Sequence, residues 1–117
     1  MMKFVRIPYL KRGRTFEGCD CYGFVRLFLM DAGIAELPAY EFTGCGGEKR
    51  RALELIEAEE VQAPEDYDLV YLAPLGRAEH VGVYHQGRVW QMTRNGPLSR
   101  PLKMLAAQVR GVYRVAR

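Results

Sequence analysis

The chain has 117 residues, of which 49% are hydrophobic and 26% charged, and its formal net charge is +3 at pH 7. This length suits one domain with a single core and excludes two domains of ordinary size. The mild positive charge permits attraction to anionic surfaces without requiring it, and no apolar run approaches the roughly 20 residues of a membrane span. We therefore expect one soluble domain over residues 1–117 that binds neither nucleic acid nor membrane.

The start of the chain and its cysteines bear on where the protein is made. Residues 1–9 contain no long apolar stretch followed by a small-residue cleavage site, so they do not resemble a secretory signal. The three cysteines cannot all pair within one chain, and Cys19 and Cys21 are too close together for an easy disulfide. We expect reduced thiols in a protein made in the cytoplasm.

The first strong signal in chain order is a helix that begins after Asp20. This residue is a suitable N-cap, because its carboxylate can accept the unpaired N–H groups that open a helix. Phe24 and Phe28 follow on one apolar side, and Gly33 supplies the stop. Residues 11–14, just before this helix, are basic and predict a solvated loop.

Cys21 occupies the first turn of the predicted helix, where the macrodipole is positive and N–H groups point outward. A thiolate is favoured there, and a nearby histidinium lowers the pKa of a cysteine further from its ordinary value of about 8.5. The alternative is a buried structural cysteine, which is the commoner situation for a cysteine taken at random. The cap and the flanking Gly18 and Gly23 favour a nucleophile.

The rest of the chain passes from helix to strand. Cys45 lies between glycines with no evident base, so we interpret it as a bystander. Residues 48–60 predict a second helix, which Pro64 follows. The segments beyond it predict four strands and a short helix: strands at 68–72, 80–85, 88–92 and 111–115, and the helix at 101–108. Helices followed by an antiparallel sheet indicate an α+β fold.

One hairpin carries a second clue to chemistry. A symmetric turn at residues 86–87 places Gly82 opposite Gln91, and alternation adds His80 to the same face. Gln91 then lies diagonal to His80, within hydrogen-bonding reach, and Gly82 leaves room between them. A base oriented by a polar group is what a thiol nucleophile needs. The alternative is that Gln91 is an ordinary exposed strand residue; His85, beside the turn, is interpreted as a strand-end histidine.

Several motifs together resemble the NlpC family of papain-like cysteine peptidases, in particular its phage-associated branch. The motifs are Pro8-Tyr9, residues 18–26 (GCDCYGFVR), Leu37-Pro38, residues 68–71 (DLVY) and residues 80–84 (HVGVY). The resemblance extends over nearly all of the chain from residue 7. It implies one NlpC-type domain, with N-terminal helices packed on a central antiparallel β-sheet.

The resemblance also implies roles for single residues. In the family, the cysteine that matches Cys21 is the nucleophile, and the histidine that matches His80 is its base. A polar residue on the next strand, here Gln91, orients that base. A tyrosine twelve residues before the nucleophile assists at the oxyanion and substrate side, which points to Tyr9. No metal or cofactor is required.

Asp20 and Tyr22 flank the nucleophile and complete the candidate oxyanion and substrate residues. Three positions depart from the family pattern. Tyr22 replaces the usual serine, and we expect it at the cleft mouth, where its bulk alters access. Gln91 replaces the usual histidine and can orient an imidazole without carrying charge, while Tyr67 replaces a glycine.

The resemblance implies hydrolysis of peptidoglycan stem peptides, commonly at the γ-D-glutamyl bond to a diamino acid. Phage members of the family accompany tail assembly and local penetration of the wall. The expected partners are therefore peptidoglycan stem peptides and phage tail proteins. The expected place of action is the cell wall, as a component of the virion tail.

Three other interpretations remain at this stage. The domain could keep the fold as a non-catalytic tail assembly module, or it could act as an acyltransferase, since the acyl-enzyme step is shared. A zinc site could form from Cys19, Cys21, Cys45 and His80. The zinc site is the weakest alternative, because Cys-x-Cys spacing is shorter than the usual gap between zinc ligands and no second close ligand pair exists.

Overall fold

The computed structural model describes residues 2–37, 53–54, 56–76 and 79–116. Its helices include α1 (Met2–Val5), α2 (Cys21–Asp31) and a 3-10 helix (Leu102–Gln108). The strands in chain order are β1 (Arg14–Thr15), β2 (Gly18–Cys19), β3 (Glu59–Val61), β4 (Leu69–Leu72), β5 (His80–His85), β6 (Arg88–Thr93), β7 (Gly96–Pro101) and β8 (Val109–Arg114).

Six of these strands form one sheet in the order β3-β8-β4-β5-β6-β7, and every neighbouring pair is antiparallel. β1 and β2 form a separate small hairpin that leads into α2. Helix α2 packs against β5 and β6 near the middle of the sheet. The α+β class and the central antiparallel sheet predicted from the sequence are therefore confirmed.

The two faces of the sheet carry separate apolar clusters. The larger cluster joins α2 to one face and includes Phe24, Phe28 and Val83. The smaller cluster, on the other face, includes Val70 and Val89 and packs near the 3-10 helix. Each side chain alternates with its neighbours along a strand, which is why adjacent residues fall into different clusters. No helix in the described residues is long and apolar enough to cross a membrane.

β3 departs from the sequence prediction. The predicted helix over residues 48–60 is wrong at its end, because residues 59–61 pair with β8. Glu57 takes a left-handed φ of 55°, and the Ala58 N–H donates to the Leu53 carbonyl, so the chain turns before β3 begins. Residues 48–52 lie outside the described part of the chain.

β7 is a further difference, since no strand is predicted from the sequence at residues 96–101. It carries Pro97 and Pro101, which cannot donate a hydrogen bond to a neighbouring strand. β7 lies at the edge of the sheet and pairs with β6 alone. Proline is tolerated there because the outer side of an edge strand has no neighbouring strand that needs a backbone donor. The short helix predicted over residues 101–108 is confirmed as the 3-10 helix that follows.

An ion pair with a buried carboxylate connects the start of β4 with the end of β8. The Asp68 side chain is fully buried, and the Arg114 guanidinium donates to both of its carboxylate oxygens, at 2.9 and 2.8 Å. The backbone N–H of Glu65 donates to the same carboxylate at 2.8 Å. The hydrogen bond with Asp68 raises the pKa of Arg114 above its ordinary value. The aspartate of the DLVY motif is thus a structural residue that joins two strands.

Candidate active site

The loop before Cys21 is organised by Asp20. Its carboxylate accepts a hydrogen bond from the Gly23 N–H at 2.9 Å, and its backbone is extended, as an N-cap requires. The same carboxylate oxygen accepts from the Arg14 guanidinium at 2.7 Å. The predicted cap is confirmed, and these contacts give Asp20 a role in holding the helix start.

The hairpin β1-β2 packs directly on the first turn of α2. A Cβ added to Gly23 would lie 2.3 Å from the Gly13 carbonyl oxygen, so only glycine permits this approach. The prediction that residues 11–14 form a solvated loop is wrong for Arg14. The Arg14 side chain is only 10% exposed, because its guanidinium pairs with Asp20.

Tyr22 does not stand at an open cleft mouth. The residue is 2% exposed, and the Arg14 guanidinium lies over its ring at 5.3 Å from the centroid. A cation against an aromatic face is stabilising. The expectation that Tyr22 controls access is therefore corrected: its described contact is one of internal packing.

Tyr9 lies beside the same loop. It forms a parallel bridge with Cys19, in which the Cys19 N–H donates to the Pro8 carbonyl and the Leu10 N–H donates to the Cys19 carbonyl. The Tyr9 side chain is partly exposed. The segment that carries Tyr9 thus runs alongside the chain two residues before Cys21.

The two cysteines of the loop differ in environment. Cys19 is fully buried, and burial, together with the negative charge of Asp20, raises the pKa of its thiol to about 12. Cys21 is 7% exposed and is the first residue of α2, where N–H groups lack helical partners. Only Cys21 combines some access with a position that favours a thiolate.

We expect brief iodoacetamide treatment at pH 6 to modify Cys21 on the order of a hundredfold faster than Cys19. The reason is that the Cys19 thiol stays protonated and inaccessible while the chain is folded. Peptide mapping by mass spectrometry measures both sites in one sample. Equal modification of Cys19 and Cys21 would contradict a nucleophilic role for Cys21, and a sample unfolded in urea provides the reference for equal access.

The predicted hairpin register is confirmed. Tyr84 pairs with Val89 across the turn. A Cβ added to Gly82 would lie 3.3 Å from the Cβ of Gln91, so these two residues face each other as expected. Gln91 is 6% exposed, which corrects the alternative of an exposed strand residue. His80 is the first residue of β5 and is partly exposed, with Leu72 as its partner across the strands.

His85 lies in a different environment from His80. Its ring is 4.9 Å from that of Tyr67 and 5.8 Å from that of Phe28, and its Nδ1 faces the Asp66 carboxylate at 3.4 Å. Tyr67 itself has a φ of 72°, in the left-handed region that favours glycine. This backbone conformation explains why a glycine suits the position before Asp68 in the family pattern.

Within the described residues, no group of three or more His, Cys, Asp and Glu side chains is arranged to hold a metal ion. Cys45, which belongs to the zinc alternative and was otherwise interpreted as a bystander, lies outside the described residues. The catalytic interpretation of Cys21, His80 and Gln91 involves no metal ligand.

Sequence reasoning missed the two arginines that hold this region together. Arg14 contacts both the cap and the Tyr22 ring. Arg26, on α2, donates to the carbonyls of Arg14 at 3.1 Å and Leu37 at 2.9 Å. Neither set of partners follows a helix or strand period, so no local pattern distinguishes these arginines from solvated basic side chains.

Comparison with known proteins gives a consistent result. The model of the NlpC/P60 family matches residues 6–108. The fold is similar to the crystal structure of the NlpC/p60 domain of peptidoglycan hydrolase SagA, with a TM-score of 0.62 and 16% identity over 99% of this chain and 92% of that one. A search of curated proteins found no match. Since the family match spans most of the sequence, the chain belongs to the NlpC/P60 family, a family of cysteine peptidases that hydrolyse peptidoglycan.

Proposed function

We propose that this protein is a cysteine peptidase that cleaves an amide bond in peptidoglycan stem peptides, with Cys21 as its nucleophile. The observation that carries the proposal is the position of Cys21 on a capped helix start within an NlpC/P60 chain. A helix start supplies a positive dipole end and free N–H groups to a thiolate. Asp20 and Arg14 contribute by fixing that helix start.

The course of α2 along the sheet supports the pairing of Cys21 with His80. Phe28 contacts His85, at the far end of β5 from His80. Cys21 lies two helical turns before Phe28, about 10 Å along the axis. Helix α2 packs against β5, so a course of its first two turns from Phe28 toward the start of that strand would bring Cys21 close to His80. The thiol and the imidazole would then meet at the end of the sheet, where β5 begins.

The chemistry follows from these residues. The Cys21 sulfur attacks the amide carbonyl while His80 takes the thiol proton, and the imidazolium then protonates the amine as the C–N bond breaks. The product acyl group stays on sulfur as a thioester, which water hydrolyses with His80 again acting as base. The Cys21 backbone N–H and the Tyr9 hydroxyl would stabilise the oxyanion, and the Gln91 amide oxygen would accept from one imidazole N–H.

Defined muropeptides, followed by mass spectrometry of the products, test the proposal. We expect the unmodified protein to release fragments cut at the γ-D-glutamyl bond to the diamino acid, and the Cys21→Ala variant to release none. The bond assignment rests on the resemblance of the motifs, as does the association with phage tails and action at the cell wall.

The outcomes distinguish the alternatives. Products in which the acyl group is joined to an added amine rather than to water would indicate an acyltransferase. Intact muropeptides in both samples would contradict a peptidase and favour a non-catalytic assembly module. Equal hydrolysis by the Cys21→Ala variant would remove Cys21 from the mechanism.

We expect Gln91→Ala to lower kcat by about ten- to a thousandfold while Cys21 remains reactive toward iodoacetamide. The amide contributes orientation rather than charge, so removing it leaves the thiol and the imidazole in place but misaligned. Turnover and labelling rates of the same sample measure the two effects separately. Gln91→His should keep partial activity, since histidine occupies this place in the family pattern, and an unchanged kcat/KM in Gln91→Ala would contradict the role.

A further inference from the structure

A pocket of about 440 Å³ lies between residues 5–9, in the N-terminal segment, and residues 94–97, in the turn that joins β6 to β7. Its lining includes two cationic side chains, Arg6 and Arg94, and it also includes Tyr9. Of the described residues that line it, none is an aspartate or a glutamate. The pocket therefore combines a candidate substrate residue with positive charge.

The two guanidinium groups are available to a ligand. Arg6 and Arg94 are exposed, and neither forms an ion pair within the described part of the chain. By contrast, Lys3 contacts Asp31 at 2.5 Å and Arg14 contacts Asp20 at 2.7 Å. A guanidinium fork matches the two oxygens of a carboxylate, so a pocket with two such groups favours a carboxylate ligand.

The pocket lies at the end of the sheet where the proposed chemistry takes place. Extending the β5–β6 register from Val83 and Trp90 places Thr93 opposite His80. Thr93 pairs with Gly96 at the turn that lines the pocket. On the other side, Tyr9 bridges to Cys19, two residues before the proposed nucleophile. A substrate group held in the pocket would thus lie close to the amide bond that Cys21 is proposed to attack.

We propose that Arg6 and Arg94 form a subsite that binds a free carboxylate of the stem peptide next to the cleaved amide. The inference rests on the proposed function for its substrate class. Stem peptides offer this carboxylate in two places. A γ-D-glutamyl linkage leaves the α-carboxylate of D-glutamate free, and diaminopimelate carries a carboxylate that lysine lacks.

Calorimetric titration of the Cys21→Ala protein tests the subsite without turnover. The probes are L-alanyl-γ-D-glutamyl-L-lysine, the same peptide with the D-glutamate α-carboxylate converted to an amide, and the peptide with meso-diaminopimelate in place of lysine. Each carries an amidated C-terminus. The Arg6→Gln/Arg94→Gln double variant is compared with Arg110→Gln/Arg100→Gln. The control loses the same charge at exposed arginines that, among the described residues, donate only to backbone carbonyls.

We expect the Arg6/Arg94 variant to bind a carboxylate peptide about tenfold more weakly than the control variant, while both bind the peptide lacking that carboxylate equally. A loss confined to the glutamyl carboxylate, or to the diaminopimelate carboxylate, identifies which source the subsite reads. Equal affinities of the two variants for every peptide, or no binding of any peptide, would overturn the subsite. A failure of the proposed function shows separately, as absence of hydrolysis by the unmodified chain.

Discussion

Replacing His80 by alanine is expected to lower kcat/KM for stem-peptide hydrolysis by about 10²- to 10⁴-fold, the range that a general base contributes. Without an imidazole, the Cys21 thiol loses the group that takes its proton and that returns a proton to the leaving amine. The fold should persist, because His80 is a partly exposed residue at the very start of β5. Initial rates by product mass spectrometry and a thermal unfolding curve measure the two properties.

His85→Ala is the matched control, since it removes the only other histidine of the chain. Its ring packs against Tyr67 and Phe28, so the change should lower the unfolding temperature and leave turnover close to that of the unmodified protein. Near-normal turnover in His80→Ala, or a severe loss in His85→Ala instead, would show that the wrong histidine has been assigned. A Cys21→Ala/His80→Ala double variant should be little worse than either single change, because the two residues act as one unit.

Local signals explain why so much of the candidate site could be predicted from the sequence. A cap depends on Asp20 and the next three residues, and the structure has the predicted hydrogen bond. The hairpin depends on its two-residue turn, and the register that brings Gly82 to face Gln91 follows from that turn alone. Both features are decided within about a dozen residues, where spacing is informative.

Two of the parts that escaped prediction depend on partners far along the chain. Residues 59–61 form a strand because β8 offers them an edge, more than 45 residues later in sequence. The contact of Arg14 with the buried Tyr22 is a shorter-range case, since the sequence presents Arg14 as one more basic residue in a loop. The pocket between residues 5–9 and 94–97 likewise exists only after the sheet has brought the two segments together. Tertiary contacts of this kind override local preference, and they produce no periodic pattern in the sequence from which they could be predicted.

Asp68→Ala is expected to lower the free energy of unfolding by about 3 kcal/mol, the effect typical of removing one partner from a buried, hydrogen-bonded pair. Three donors converge on the Asp68 carboxylate: the Glu65 N–H and two nitrogens of Arg114. Removing the acceptor leaves the Glu65 N–H without its partner and removes the side-chain link that supplements the β4–β8 ladder, while Arg114 keeps its contact with the Glu65 carboxylate at 2.6 Å. Urea unfolding followed by circular dichroism measures the change.

Asp31→Ala provides the contrast, because Asp31 pairs with Lys3 at the surface, where such pairs contribute about 0 to 1 kcal/mol. Asp68→Asn removes the negative charge while keeping the shape of the side chain, so it separates these two contributions to stability. An asparagine offers one oxygen and one NH₂ group, so it turns a donor toward a site where three donors already converge, and it should recover less than half of the lost stability. If Asp68→Ala unfolded at the same urea concentration as Asp31→Ala, the Asp68–Arg114 pair would add no measurable stability to the β4–β8 ladder, and the aspartate of the DLVY motif would need another explanation.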